Sequence, residues 1–235
     1  MKYVNMNYPK HVALIPDWNR TWAKLKWLSS FQWHLEGFNR AKEIAEYIFT
    51  KTPIQSFTIW WLSTENLQNR SKKELEYLFE LYKKIPWNLY NILKENKINF
   101  RLAWNLEQLP EHLVSFLKEK EKELTFKTER YLTLAINYWW QDEILRWVKK
   151  LVNNKEEVNK ENLEKYLDFR QLPNVELVIR TKQQLAKRLS WFMLWWIGYA
   201  QLYFTDLYCP DFTVAELKKS LEWFDIRIKT QNYGK

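Results

Sequence analysis

Three glycines in 235 residues fall far below the ordinary usage of about 7%. The chain therefore lacks the residue that tight turns and close backbone approach normally require. It has a single cysteine, Cys209, which excludes an internal disulfide and fits a reducing compartment. No run of about 18 apolar residues occurs, so no membrane-spanning segment is expected. The opening residues, MKYVNMNYPKH, contain no apolar stretch of signal-peptide length. These absences point to a soluble cytoplasmic protein. Also missing are G-x-x-x-x-G-K-[ST], G-x-G-x-x-G, metal-type Cys/His spacing and a nucleophile elbow, which removes support for kinase-like, dinucleotide-binding and hydrolase readings.

What is present is tryptophan, 15 of them, and a net charge of +9. The charge implies anionic partners, whether nucleic acid, lipid headgroups or phosphorylated small molecules. The length suits one domain spanning residues 1–235, long enough to bury a substantial core.

Strand-like and helix-like segments alternate along the chain. Val12 to Ile15, Ser56 to Leu62, Ile98 to Trp104, Tyr131 to Asn137, Glu176 to Thr181 and Gln201 to Thr205 read as strands. Helical spacing runs through 34–50, 71–95, 111–124, 141–152, 160–168, 189–198 and 213–222. Six strands separated by helices predict an α/β domain, a mostly parallel central sheet covered by helices. In such sheets ligands bind beyond the carboxyl ends of the strands, so polar clusters at strand ends are the candidates.

After the first strand comes Asp17-Trp18-Asn19-Arg20-Thr21-Trp22. A carboxylate there suits Mg²⁺ held against a phosphate; it equally suits a helix N-cap. After the second comes Ser63-Thr64-Glu65-Asn66, then Arg70, a set fitting an anionic ligand or ordinary loop chemistry. Near the C-terminus Arg180 ends a strand, and Arg188 and Ser190 open an apolar segment. Guanidinium groups bind phosphate oxygens in bidentate fashion. His34 begins a long helix, where capping and a phosphate contact both fit.

In this order the clusters resemble the cis-prenyltransferases, the family of undecaprenyl diphosphate synthase. The family pattern H-[VI]-A-x-I-x-D-G-N-x-R-W-A-K is met by His11 to Lys24, and G-H-x-x-G by Trp33-His34-Leu35-Glu36-Gly37. S-x-E-N-[WF]-x-R-[PS] is similar to Ser63-Thr64-Glu65-Asn66-Leu67 with Arg70-Ser71, one residue longer. N-Y-G-G resembles Asn137-Tyr138-Trp139-Trp140, and the long C-terminal motif matches Glu176 to Phe212. The resemblance covers about 11–225.

It implies a transferase that condenses isopentenyl diphosphate onto an allylic diphosphate such as farnesyl diphosphate, giving a long cis-polyprenyl diphosphate. The implied catalytic residues are Asp17 and Asn66. The allylic diphosphate would be held by the backbone after Asp17, by Arg20 and by His34, with Trp18, Asn19, Thr21 and Trp22 in the same motif. Isopentenyl diphosphate would be held by Arg180, Arg188 and Ser190. Ser63, Thr64, Glu65 and Arg70 would belong to the second substrate-binding segment. Mg²⁺ would sit on Asp17, with Gln201 at the position of a second, glutamate ligand. The resemblance further implies a homodimer, an apolar product tunnel lined by the stripe on 71–95, and peripheral contact with a membrane for product release.

The sequence departs from the family at Thr21 and Ser30, where arginines are usual, at Gln201 for glutamate, at Asn105 for aspartate, and between Arg180 and Arg188, which is two residues longer. These departures also fit a non-catalytic subunit that partners an active synthase. The last departure is systematic. Trp18, Trp27, Trp33, Trp104, Trp139, Trp140 and Trp147 stand where relatives carry glycine, and glycine would be unsurprising at Trp61 and Trp191; Trp22 and Trp195 fall on family tryptophans. Drift does not turn glycine selectively into tryptophan, whereas UGA means tryptophan in one genetic code and glycine in another. Because the tryptophans follow glycine positions and lysine is spread along helices, nucleic acid is not an expected partner.

Overall fold

The computed structural model describes residues 6–17, 20–106, 108–182 and 187–230, with the side chains of Arg20, Thr21, Lys24 and Ser30 left out. Trp18, Asn19 and the side chains of Arg20 and Thr21, all expected to bind substrate, thus lie outside the described residues.

Six strands form one parallel sheet: β1 (His11–Ile15), β2 (Ser56–Ser63), β3 (Asn99–Trp104), β4 (Tyr131–Tyr138), β5 (Leu177–Arg180) and β6 (Gln201–Phe204), in the order β3-β4-β2-β1-β5-β6. The first five are buried along nearly their whole length, which is why they read as continuous apolar runs rather than alternating ones. Alternation persists underneath. Val12, Leu14, Phe57, Ile59, Leu132 and Leu134 face one layer, while Ala13, Ile15, Ala103, Ala135 and Val178 face the other.

The first layer contains α2 (Ser30–Lys51), α4 (Lys72–Asn88), α6 (Glu111–Glu123) and α9 (Val214–Thr230), whose apolar residues Phe38, Ile44, Leu78, Tyr82, Leu113, Leu117, Leu217 and Phe224 share one core with the sheet. Ser29 caps α2 through a reciprocal capping box with Gln32. The second layer is built from Phe169, Leu172, Val175, Phe192, Met193 and Ile197, with Trp140 of α7 (Trp140–Asn153) packed against them.

Two expectations change. The helix expected over 71–95 is two: α4 ends at Asn88, two residues past Pro86, and α5 (Tyr90–Glu95) follows after Leu89. Two short helices, α1 (Arg20–Leu25) and α3 (Thr64–Asn69), follow the first two strands, the second where ordinary loop chemistry was also open.

The helix expected over 189–198 is not formed. That segment is a chain of single turns, closed by Phe192 N–H to Leu189 O (3.1 Å), Trp196 N–H to Met193 O (2.8 Å) and Ala200 N–H to Ile197 O (3.0 Å). Ser190, Trp191 and Met193 take positive φ angles of 46°, 63° and 49°. Its apolar residues Phe192, Met193 and Ile197 are buried on the second sheet face.

Candidate active site

Because every strand runs the same way, all carboxyl ends open onto one edge. There a cavity of about 410 Å³ is lined by residues following β1, β2, β4 and β5. Asp17, Ser63, Glu65, Asn66, Arg70, Arg180, Arg188 and Ser190 all line it. Eight residues from three separate sequence clusters thus meet in one place, as expected.

Arg180 organises the floor. The parallel register sets it beside Ile15, two residues before Asp17. Its guanidinium donates to Asp17 Oδ2 (3.2 Å), to Ser190 Oγ (2.7 Å) and to the Arg188 carbonyl (2.6 Å). Asp17 is fixed from its other side, its N–H donating to Thr181 Oγ1 at 2.7 Å. The two partners differ in exposure: the Arg180 side chain is 4% exposed and that of Asp17 41%. Burial lowers the Arg180 pKa, opposed by Asp17, while the neighbouring Arg188 lowers it further. The Arg180 Nε–H is buried without a hydrogen-bond partner among the described residues. A buried donor left unmade is costly, and an anion entering the cavity would relieve it.

The opposite wall comes from the β2–α3 junction. Ser63 Oγ accepts from the Asn66 N–H (3.0 Å), capping α3. That cap turns Glu65 and Asn66 toward the cavity. Arg70 ends α3 and approaches Glu74 at 3.7 Å.

Three expected site residues sit elsewhere. His34 is buried against Trp33, ring centroids 3.7 Å apart, and its Nε2 pairs with Glu74 at 3.1 Å; it does not line the cavity. Trp22 is a packing residue whose Nε1–H donates to Asp211 Oδ2 at 2.8 Å. Thr64 lies on α3 outside the lining, its Oγ1 buried and unpartnered among the described residues.

Gln201 lies apart from Asp17 within the chain. It opens β6 opposite Leu177, three register steps below Arg180, a separation of about 10 Å at the rise of a strand. Asp17 lies beyond the other end of that ladder, so the two do not share one metal ion within a chain.

The expected product tunnel would run beside α4, where little space is left. The stripe on α4 is packed core, and the space between α2 and α4 at His34, Trp61, Leu78 and Leu81 holds about 10 Å³, room for a single water at most.

Sequence reasoning missed the aromatic wall. Trp60, Trp61, Trp139 and Trp191 line the cavity, and Trp191 stacks against Trp139 and Trp140 with centroids 6.1 and 6.3 Å apart. Trp139 directly follows β4, so the rule that ligands bind beyond strand ends would have found it. Beside it Asn137 (φ 50°) and Asn105 tie the ends of β4 and β3 together, Asn137 Nδ2 donating to the Asn105 carbonyl at 3.0 Å.

The model of the family described as putative undecaprenyl diphosphate synthase matches residues 15–232. The chain belongs to this undecaprenyl diphosphate synthase family. Among the family's members, an isoprenyl transferase of Fusobacterium nucleatum is 34% identical over 222 residues, 94% of each chain. One of Aquifex aeolicus is 35% identical over 225 residues, 95% of this chain and 96% of the other. A probable undecaprenyl diphosphate synthase from Campylobacter jejuni superposes with a TM-score of 0.76 at 29% identity, covering 98% of this chain and 100% of that one. Lavandulyl diphosphate synthase from Lavandula x intermedia, solved with dimethylallyl diphosphate, gives a TM-score of 0.78 at 27% identity over 93% and 95%. The family's six-stranded α/β fold is the one found here, and its members' names make prenyl transfer the activity class. No helix among the described residues is long and apolar enough to cross a membrane.

Proposed function

We propose that the chain condenses isopentenyl diphosphate repeatedly onto an allylic diphosphate such as farnesyl diphosphate, making a long cis-polyprenyl diphosphate of the undecaprenyl kind. The observation that carries this reading is the Arg180 cluster: a buried guanidinium with one unmade hydrogen bond, flanked by Arg188 and Ser190, at the mouth of an anion-sized cavity. Isopentenyl diphosphate is held there by charge-assisted bonds. The allylic diphosphate lies beside it, near Asp17.

The allylic C–O bond breaks and its electron pair leaves with the diphosphate. The isopentenyl double bond attacks the allylic carbon, forming the new C–C bond. The resulting cation loses a proton to the released diphosphate, on the side of Glu65 and Asn66, which leaves a cis double bond. The protein's share is to hold both reacting carbons close and to meet the charge developing on the leaving group.

Mg²⁺ fits one mode only. Among the described residues no group of three His, Cys, Asp or Glu side chains could hold a metal, yet Mg²⁺ commonly binds through one or two carboxylates plus substrate phosphates. Asp17, half-exposed at the cavity, would hold it, and the ion would neutralise charge on the departing diphosphate.

A homodimer would form at the edge beside β6, where Trp195, Tyr199 and Leu202 are exposed, and product release would need peripheral contact with a membrane. Both belong to this proposal, as does the cytoplasm as the site of action. The test is labelled isopentenyl diphosphate with farnesyl diphosphate, with and without Mg²⁺, on the chain and its Asp17→Ala variant. Mg²⁺-dependent incorporation into long products, lost in Asp17→Ala, is expected; incorporation that ignores both Mg²⁺ and Asp17 overturns the assignment.

A further inference from the structure

Nine described non-glycine residues take positive φ angles. By contrast Gly198, one of the three glycines, has no such conformation, and a Cβ there would meet nothing within 4 Å. At Gly198, then, the backbone does not require glycine, while at Trp27 and Trp191 a tryptophan takes a conformation that favours it.

Trp27 is the sharpest case. The Leu28 N–H donates to the Ala23 carbonyl at 2.9 Å, closing the end of α1 in a Schellman motif with Trp27 at the left-handed position, φ 56°. Glycine is the usual residue there because a Cβ is penalised. Nothing offsets that penalty, since Trp27 is 96% exposed. Trp191 also takes a left-handed conformation, φ 63°, with 48% of its surface exposed, although it stacks on Trp139 and Trp140.

Trp61 presents a different problem. The register of β2 against β4 shifts between Trp60 and Leu62, which makes residue 61 a bulge. In a strand, glycine often marks such a site. The indole it carries lines both the 410 Å³ cavity and the 10 Å³ remnant between α2 and α4. Phe38 and Tyr82 meet it edge-on at 6.2 and 6.0 Å. Trp61 is therefore the stopper between the polar cavity and the apolar layer behind it.

Trp22, only five residues before Trp27, behaves as a tryptophan should, buried and hydrogen-bonded to Asp211. Trp140 and Trp147 do not: their indole N–H groups are buried without a partner among the described residues.

We infer that in the functioning protein positions 27, 61 and 191 are glycine, decoded from UGA, and that glycine at 61 opens the path from the diphosphate cavity into the apolar layer along which the product grows. The first half stands on backbone geometry and composition alone. The second half rests on the chain-elongating function proposed above.

Peptide mass spectrometry on the protein isolated from the cells that make it reads the residues directly. Tryptophan at 22 with glycine at 27, 61 and 191 is expected; tryptophan at any of those three overturns the inference. The path is tested by comparing products of the chain as written with those of Trp61→Gly. A shift to longer products in the variant is expected, and identical chain-length distributions overturn the stopper. If neither protein incorporates isopentenyl diphosphate the function proposed above fails, while the peptide result still decides the residues.

Discussion

Two arginine–carboxylate clusters of this protein, Arg180 with Asp17 and Arg70 with Glu74, each bring an arginine to the same cavity and behave differently. Around Arg180, one guanidinium serves Asp17, Ser190 and the Arg188 carbonyl, and a further donor is left unmade facing the cavity. Around Glu74, one carboxylate serves both His34 and Arg70, and the charges are matched within the protein. The first is an excess of cation waiting for an anion. The second is closed and holds α2, α3 and α4 together. Residue type alone does not separate a binding site from a structural tie; the surplus of donors over acceptors does.

The contrast is broken most severely at Arg180. Arg180→Lys removes the planar fork and keeps the charge, so kcat/KM should fall by roughly 10²–10³, as for loss of one oriented donor to developing charge. The thermal midpoint should move little. A variant retaining most of its kcat/KM would dissolve the distinction between the clusters.

Next in size is a pH effect that involves neither cluster. His11, fully buried between the Pro173 carbonyl and Thr58 Oγ1, has its pKa lowered from 6.5 to about 4 by burial. The unfolded chain binds this proton more tightly than the folded one. Stability is therefore complete above about pH 6.5 and is lost as pH falls toward 4, by up to ~3 kcal/mol at about 1.4 kcal/mol per unit. Urea midpoints at neutral and acid pH, compared with those of His11→Gln, check it; the variant should show a flatter profile.

Glu74→Gln tests the closed cluster. Removing one partner of a buried tie should cost about 1–3 kcal/mol in stability, and the loss of kcat/KM should stay well below that of Arg180→Lys. Denaturation and steady-state kinetics on the same preparation decide this, and equal kinetic damage at both clusters would show that His34 and Arg70 act on substrate after all.

The smallest change has the opposite sign. Trp27→Gly should stabilise the protein by about 1–2 kcal/mol, the left-handed penalty for a residue with a Cβ, visible as a raised thermal midpoint.

Much of this was legible beforehand. The alternation of apolar runs and amphipathic segments announced the parallel sheet, and the cluster order announced the family. What was misread followed from using apolar periodicity without partners. Residues 189–198 have helical spacing, but Arg180 takes up the Arg188 carbonyl and the Ser190 hydroxyl, and the chain turns instead. His34 and Trp22 were expected at substrate because they lie inside motifs; Glu74, 40 residues from His34, and Asp211, 189 residues from Trp22, claim them. Nothing local in the sequence pointed to either partner.

The sequence alone settled strand order of appearance, the family and the identities of the polar groups, because these depend on local composition and spacing. Which of those groups share a cavity, and which are neutralised by distant partners, was decided by the register of one parallel sheet. A shift of three residues along β5 and β6 separates Arg180 from Gln201 by about 10 Å, and a bulge at residue 61 turns an indole into the gap between α2 and α4. Hydrogen bonds and ion pairs act over a few ångströms, so only folded geometry assigns them.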